Sequence, residues 1–412
     1  MANRKLIWVS HFIPYPPKGG ALQRSYNLLK ELSNHFDIDL ICIRSDRLVR
    51  DNFGDLNRGL DVCQEQLSKL AADVKFIAAD RSVTNTLQKY IAAAGAFFSL
   101  SPFIEYWVKS SAIQSIIAEK LVENPDAIVH LDSIGMCYSV AGLPANTVII
   151  NHHNIESDMQ YRRAREESNF FKKIYFLLDA YKIRRLEAKY CSAASLNVYC
   201  SDLDRERMKS NLGVGGVVAP NGVDVNYFRS KSVDISMRKG LIFAGGIGWY
   251  PNYSAMKFFL LEVWPKLSLL LPDLTLTIVG RDGEKLRKYV SSEKVTITGF
   301  VDDVRCYIDS AAVYVCPIFV GGGTKLKVLD ALSMGIPMVA HPIACEGIDV
   351  VDGESVVCAS GADEFVEATV DLLSNQDKRS RLAARGRELV ECQYSFCAIG
   401  AKLAQDYWEI SQ

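Results

Sequence analysis

The sequence has no apolar run long enough to cross a bilayer. Its best candidate, YIAAAGAFFSL at 90–100, falls well short of the roughly 20 residues that a spanning helix requires. It has no excess of either charge: 47 basic side chains face 48 acidic ones, so no global field marks a nucleic-acid binder, and any anion site must be local. It has no CxxC pair. Its cysteines number eleven, an odd count scattered from Cys42 to Cys397, which argues against a disulfide framework. Many lie inside apolar runs such as LICI, NVYCS and VYVCP, where a thiol packs as a small hydrophobe, and they point to a reducing, cytoplasmic compartment. The N-terminal MANRKLIWVSHFIPYPP is broken too early by Ser10, His11 and Pro14 to read as a signal peptide. Solenoid repeats, low-complexity tracts and a GxxxxGK(S/T) phosphate loop are also lacking.

What is present is alternation. With 412 residues, 49% of them hydrophobic, the chain can bury two cores of ordinary size. Short β-rich runs, LIWVSHF, IDLICI, KFIA, AIVHLD, TVIINHH and LNVYCS, are separated by helical periodicity. From Gly240 the pattern restarts with LIFAGG, LTLTIVG, VTITGF, VYVCP, PMVAH and SVVCA. Such alternation predicts an α/β fold of two Rossmann-like domains, each a mostly parallel sheet with helices on both faces. The turn signal PNGVD places the boundary near 225, giving domains at 1–225 and 226–395, with a terminal helix at 396–412. Ligands of such sheets bind beyond the carboxyl ends of the strands, and two facing sheets would share one cleft.

The loops after strands therefore carry the functional reading. FVGGGTKLKVLDALSMG at 319–335 follows a strand with Gly321, Gly322 and Gly323, then Thr324 as a plausible N-cap and Lys325, Leu326 and Lys327 as the first helical residues. Positive charge in a first helical turn opposes the macrodipole, which favours an anion site here. The plain alternative is a solvated helix start with a Lys327–Asp330 pair. PYPPKGGALQRSYN repeats the logic, with Gly19 and Gly20 before a helix, although a tight turn without a ligand would look the same. Adjacent His152 and His153 suggest a metal, yet neighbours on a strand point to opposite faces, and no HxxxH or nearby cysteine completes a ligand set. Residues 162–189 hold nine basic and four acidic residues among apolar ones. A helix packed on its own sheet with a charged outer face is preferred there over a membrane-surface helix.

GGGTKLKVLDALSMGIPMVAHPIACEGI resembles the nucleotide-sugar-binding segment of glycosyltransferase family 4, retaining enzymes of the GT-B architecture. PNGVD, IVG followed by TGFVDDV, and a C-terminal YSF extend the resemblance, which is strongest over 217–396. It is closest to a branch with GGGT(K/R)LK(I/V)LEALAMG and a GxxxWxPN loop. Most of that family carries two glutamates that fall here on Gly322 and Asp330. The resemblance implies that Asp330 holds the ribose hydroxyls, and the missing carboxylate at Gly322 leaves that contact to loop N–H groups.

Many relatives place an arginine and a lysine after the strand LIFAGG. This chain has Gly246, Gly248, Trp249 and Asn252 instead, so the cationic role falls to Lys325 and Lys327. Trp249 reads either as core or as lining of the cleft. By the same resemblance Gly299, Phe300 and Val301 lie near the nucleobase. Arg281 reads as a phosphate ligand or an exposed turn residue, and Glu346 as a sugar- or ribose-facing acid or a solvated one. The HNxES pattern places His153 close to the transferred sugar, with Asn154 and Glu156 on the acceptor side, and leaves His152 structural.

The implied function is transfer of a sugar from a nucleoside-diphosphate donor to a glycan or lipid-linked acceptor, with retention, no metal and no cofactor. Peripheral membrane contact is an open partner, and the terminal helix is expected to cross back to the N-terminal domain. The alternatives are a GT-B-like epimerase or phosphorylase, or a non-catalytic nucleotide-sugar-binding subunit.

Overall fold

The structure is a computed structural model and describes residues 4–18, 20–81, 86–143, 147–231, 237–290, 292–321 and 324–411. Gly19, Gly322 and Gly323 lie outside the described residues. The chain forms two units, one up to Pro220 together with the residues from Gly400 onward, the other Asn221–Ile399.

The first unit is built on seven parallel strands: β1 (Lys5–Ser10), β2 (Asp37–Arg44), β3 (Asp73–Ala78), β4 (Ile128–Leu131), β5 (Thr147–Asn151), β6 (Leu196–Tyr199) and β7 (Val217–Val218). Their order is β3-β2-β1-β4-β5-β6-β7. Ile7, Val9, Val129, Leu131 and Ile150 are fully or almost fully buried, as a parallel sheet covered on both faces demands. The terminal helix Phe396–Glu409 ends in this unit. Tyr407 Oη lies 2.7 Å from His130 Nδ1, and Trp408 stacks on Phe36 with centroids 5.4 Å apart.

The second unit repeats the plan with β8 (Leu241–Ala244), β9 (Leu276–Val279), β10 (Val295–Gly299), β11 (Val313–Cys316), β12 (Met338–Ala340) and β13 (Val357–Cys358). The order is β10-β9-β8-β11-β12-β13, again parallel throughout. In both sheets the order reverses between the first and fourth strands, β1/β4 and β8/β11. At that switch point the flanking connections leave in opposite directions and open a crevice at the carboxyl edge. Tyr314 of β11 pins the end of β8 there: its hydroxyl accepts from Ala244 N at 3.0 Å and donates to Ala244 O at 2.9 Å.

Three details depart from the sequence-based expectation. The chain divides after Pro220 and Ile399 rather than at 225 and 395, because Val223 bridges to Ser395 and donates to Tyr394 O at 2.8 Å, tying 221–225 to the second unit. Strands β1, β4 and β5 stop short, so His11, Asp132, His152 and His153 lie beyond strand ends rather than within strands. The basic segment at 162–189 is not one helix with a charged outer face. It breaks at 167–169 between helices Glu156–Glu166 and Phe170–Cys191, and the second exposes Phe170 and Phe171, 68% and 81% open to solvent. All eleven cysteines are free, and no helix among the described residues is long and apolar enough to cross a membrane.

Candidate active site

In the second unit the loops beyond β8, β9, β10 and β11 hold most of the residues singled out in the sequence. Gly245 and Gly280 let two of these loops touch: a Cβ on Gly280 would strike the Gly245 carbonyl, and one on Gly245 would strike the Lys327 ammonium. The helix Tyr250–Phe258 begins just past Trp249, with Pro251 in its first turn, where a missing N–H costs nothing. Asn252 is buried and acts as a clamp. Its Nδ2 donates to Gly246 O at 2.8 Å, and its Oδ1 accepts from Lys327 Nζ at 2.5 Å. Both ends of its amide are therefore used inside the protein, so Asn252 shapes the loop rather than presenting a free group to a donor. Trp249 is 48% exposed, which removes the core reading.

The helix Leu326–Ser333 has Lys325, not Thr324, at its N-cap, with extended φ −86° and ψ 96°. Lys325 reaches back to donate from Nζ to Gly321 O at 2.8 Å, closing the loop at a residue whose φ of +100° suits glycine. Thr324 turns its hydroxyl towards Gly347 instead. This resolves the charge that opposes the macrodipole: the Lys325 ammonium rests on a carbonyl, and the side chain is buried rather than solvated. Burial lowers the Lys325 pKa, opposed by the negative charge of exposed Glu346.

Lys327 sits deeper in charge terms. Its Nζ lies 4.6 Å from the Phe243 ring centroid and 5.9 Å from that of Trp249, and burial brings its pKa down to about 8. Burial likewise pushes Asp330 up to about 8, opposed by Lys327. The Oδ1 of Asp330 is sealed from solvent and has no hydrogen-bond partner among the described residues. In place of the solvated helix start that was the plain alternative, the segment holds a desolvated cation, a desolvated acid and one acceptor unfilled among the described residues. An unfilled buried acceptor is costly and calls for a partner.

At the ends of β9 and β10, the Arg281 guanidinium lies 4.5 Å from the Phe300 ring centroid, and Phe300 is 57% exposed. The structure gives this stretch, expected near the nucleobase, a ring face backed by a cation. Gly299 turns with φ +73° at the end of β10, and Val301 is half-buried. Gly248 packs against the Asp282 carboxylate.

In the first unit the crevice at the β1/β4 switch point holds a cluster around Asp132, a residue singled out by no motif. Asp132 Oδ2 accepts from Ser25 Oγ at 2.5 Å and Ser10 Oγ at 3.4 Å, and Oδ1 accepts from Asn151 Nδ2 at 2.7 Å. His153 Nε2 stands 3.2 Å from Oδ1. Burial by itself would raise Asp132, but His153 and His130 more than offset it and hold the carboxyl well below its usual value. Arg24, also buried, donates to Asn151 Oδ1 at 3.1 Å and to Pro220 O at 2.9 Å, backing the cluster with a fixed positive charge.

His11 lies beside His153, ring centroids 6.0 Å apart, and burial brings its pKa down to about 4. His152 faces elsewhere: its Nε2 is 3.1 Å from Asn197 Oδ1 and its ring stacks on Tyr199, which makes it structural. Burial pushes Glu156, in the first turn of the next helix, up to about 7, with Asn154 bonding to it in opposition. Gly20 opens the helix Gly20–Leu32, the same helix that carries Arg24 and Ser25. The missed residues left one signal in the sequence: Asp132 closes the β-rich run AIVHLD, and His11 lies near the end of LIWVSHF.

Comparison with known proteins bears on both units. Residues 238–375 match the family described as glycosyl transferases group 1, a span inside the second unit that contains the loops above. Over 407 residues, 95% of this chain and 96% of the relative, the sequence is 23% identical to an uncharacterized 44.6 kDa protein in the cps region of Klebsiella pneumoniae. Over 221 residues it is 29% identical to a phosphatidyl-myo-inositol mannosyltransferase of Mycolicibacterium smegmatis, covering 51% of this chain and 56% of that enzyme. Among solved structures, Anabaena HepE with UDP aligns with a TM-score of 0.64 at 13% identity, covering 98% of this chain and all of that one. Sucrose-phosphate synthase from Thermosynechococcus elongatus aligns at 0.65, also at 13% identity, over 99% of each chain. The fold is that of the GT-B glycosyltransferases, two Rossmann-like units of parallel sheet.

Proposed function

We propose that the protein is a retaining glycosyltransferase of the family 4 type. It moves a sugar from a nucleoside-diphosphate sugar to a hydroxyl of a glycan or lipid-linked glycan, in the synthesis of a surface polysaccharide. The observation that carries this reading is the half-buried Asp330 carboxyl beside the desolvated Lys327 ammonium, in the segment that matches group 1 glycosyltransferases. A ribose hydroxyl can donate to that carboxyl.

In this reading Lys325, Lys327 and the glycine-loop N–H groups stabilise the negative charge that grows on the leaving diphosphate. Phe300, backed by Arg281, offers its ring to the base. The leaving phosphate accepts the proton of the attacking hydroxyl, so retention needs no protein nucleophile. The lysines supply the charge neutralisation that a metal would otherwise provide, and no cofactor beyond the nucleotide sugar is required. His153 binds at the transferred sugar, with Asp132 as its positioning residue, and Asn154 and Glu156 serve the acceptor. The relatives point the same way, one encoded in a cps region and one named for transfer of mannose to a phosphoinositide.

The test is calorimetric titration with a panel of nucleoside diphosphates and their sugars, followed by assay of nucleoside diphosphate release with glycan and lipid-linked acceptors. Binding that is lost in both Lys325→Ala and Asp330→Asn, with release in the parent, supports the reading. Binding in the parent with no release under any acceptor mixture would instead favour a non-catalytic subunit.

A further inference from the structure

The phenol of Tyr407 is wholly buried, in a helix that belongs to the first unit only from Gly400 onward. That end is held closely. Gly400 approaches the side chain of Glu31 with no room for a Cβ, Ala404 and Tyr407 follow on the same helical face, and Arg4 donates to Ser411 O. Glu31 lies on the helix Gly20–Leu32, which also brings Ser25 to Asp132.

The hydroxyl of Tyr407 reaches His130, 2.7 Å from Nδ1. His130 is wholly buried, two residues before Asp132, and its ring stacks on Trp8 with centroids 3.8 Å apart. Burial lowers its pKa, opposed by Asp132, so the ring is neutral and carries one proton. The far nitrogen, Nε2, has no hydrogen-bond partner among the described residues and stands 3.8 Å from Asp132 Oδ1. That oxygen is shared: it accepts from Asn151 Nδ2 at 2.7 Å and faces His153 Nε2 at 3.2 Å.

Charge decides where the single proton of His130 sits. Asp132 is ionised, and a bare nitrogen lone pair turned to a carboxylate in a dry site is repelled, whereas an N–H is attracted. With the proton on Nε2, Nδ1 becomes a buried acceptor. The Tyr407 hydroxyl, which burial keeps protonated, is the donor that fills it.

We propose that Tyr407 is a positioning residue of the first-unit crevice. Its hydroxyl donates to His130 Nδ1, holds that ring with Nε2–H turned to Asp132, and through the shared carboxylate sets how His153 is held. The consequence for sugar transfer rests on the proposed function; the link from Tyr407 to His153 does not.

The experiment records two-bond proton–nitrogen correlation spectra of the full chain with isotope-labelled histidine, His130 and His153 being identified by the signals lost in His130→Gln and His153→Gln. Release and binding of nucleoside diphosphate are measured alongside. The parent is expected to show His130 as a neutral ring protonated on Nε2. Tyr407→Phe keeps the ring that packs beside Phe36 and removes only the hydroxyl, so its circular dichroism should match the parent. It should shift the His153 signals and lower kcat roughly three- to tenfold, the worth of one neutral hydrogen bond, with nucleoside diphosphate affinity unchanged. Added to Asp132→Asn, the same change should leave the His153 signals in place and alter kcat by less than about twofold, because the carboxylate that carries the effect is gone. A mere packing defect would act equally in both backgrounds, and that result overturns the proposal. So does a parent His130 protonated on Nδ1, or a Tyr407→Phe protein whose His153 signals match the parent's. If the parent releases no nucleoside diphosphate with any acceptor, the proposed function fails instead, and the spectra still decide the role of Tyr407.

Discussion

His153 Nε2 stands 3.2 Å from Oδ1 of Asp132, a carboxylate that is wholly buried and already accepts from Ser10, Ser25 and Asn151. The carboxylate fixes which imidazole nitrogen faces inward. Asp132→Asn keeps the shape and removes the charge. It should lower kcat by about tenfold or more, while nucleoside diphosphate affinity stays at the parent value. A fall in affinity with no change in kcat would return Asp132 to a purely structural role.

Asp330 has a pH signature. Its folded value, about 8, lies above the ordinary 3.8, so the native state holds a proton that the unfolded chain gives up. The contribution to stability is full below the ordinary carboxylate value and is lost as pH rises through about 8. Asp330→Asn should therefore gain stability relative to the parent as pH is raised from about 4 to about 8, measured by urea unfolding at a series of pH values, while its nucleoside diphosphate affinity falls.

Lys327 titrates from the other side, brought down to about 8 by burial. If its charge helps to hold a diphosphate, affinity for nucleoside diphosphate falls as pH rises through about 8, and calorimetry in two buffers of different ionisation enthalpy detects proton uptake on binding near that pH. Lys327→Met should remove both the pH dependence and the proton uptake.

Asn252→Ala breaks the hydrogen bonds to Gly246 O and to Lys327 Nζ together. One is neutral and one is charge-assisted, so the expected loss is about 2–4 kcal/mol of stability in urea unfolding. The loop it clamps carries Gly246 and Trp249, and donor affinity should fall with it.

Phe300→Ala tests the ring face. The side chain is exposed, so stability should change by no more than about 0.5 kcal/mol. Loss of a stacking partner for the base would weaken nucleoside diphosphate binding by roughly 1–3 kcal/mol, read by calorimetry. Unchanged affinity would separate Phe300 from the base.

Much of the architecture was legible in local pattern. Every apolar run assigned to a strand became one, because strands buried on both faces must be apolar along their length. The glycine loops and the start of a helix after 324 could also be read, since turns and caps are local chemistry. The fate of the charges could not. Thr324 is a better N-cap than lysine by propensity, yet Lys325 takes the position because the Gly321 carbonyl, four residues back, accepts its ammonium. Phe170 and Phe171 satisfy a helical pattern equally well as core or as surface, and only their neighbours decide which.

By itself the sequence determined two sheets of parallel strands, the loops that interrupt them and the residue types those loops carry, because these follow from periodicity and turn chemistry within a few residues. Tertiary structure alone decided that Asp132 meets His11, Ser25 and His153, and that Lys327 lies over Phe243 and bonds to Asn252. Those meetings depend on pairing β1 with β4, and β8 with β11, across long stretches of chain. They also depend on burial, which shifts the protonation of Lys327 and Asp330 only once the surrounding residues have excluded water.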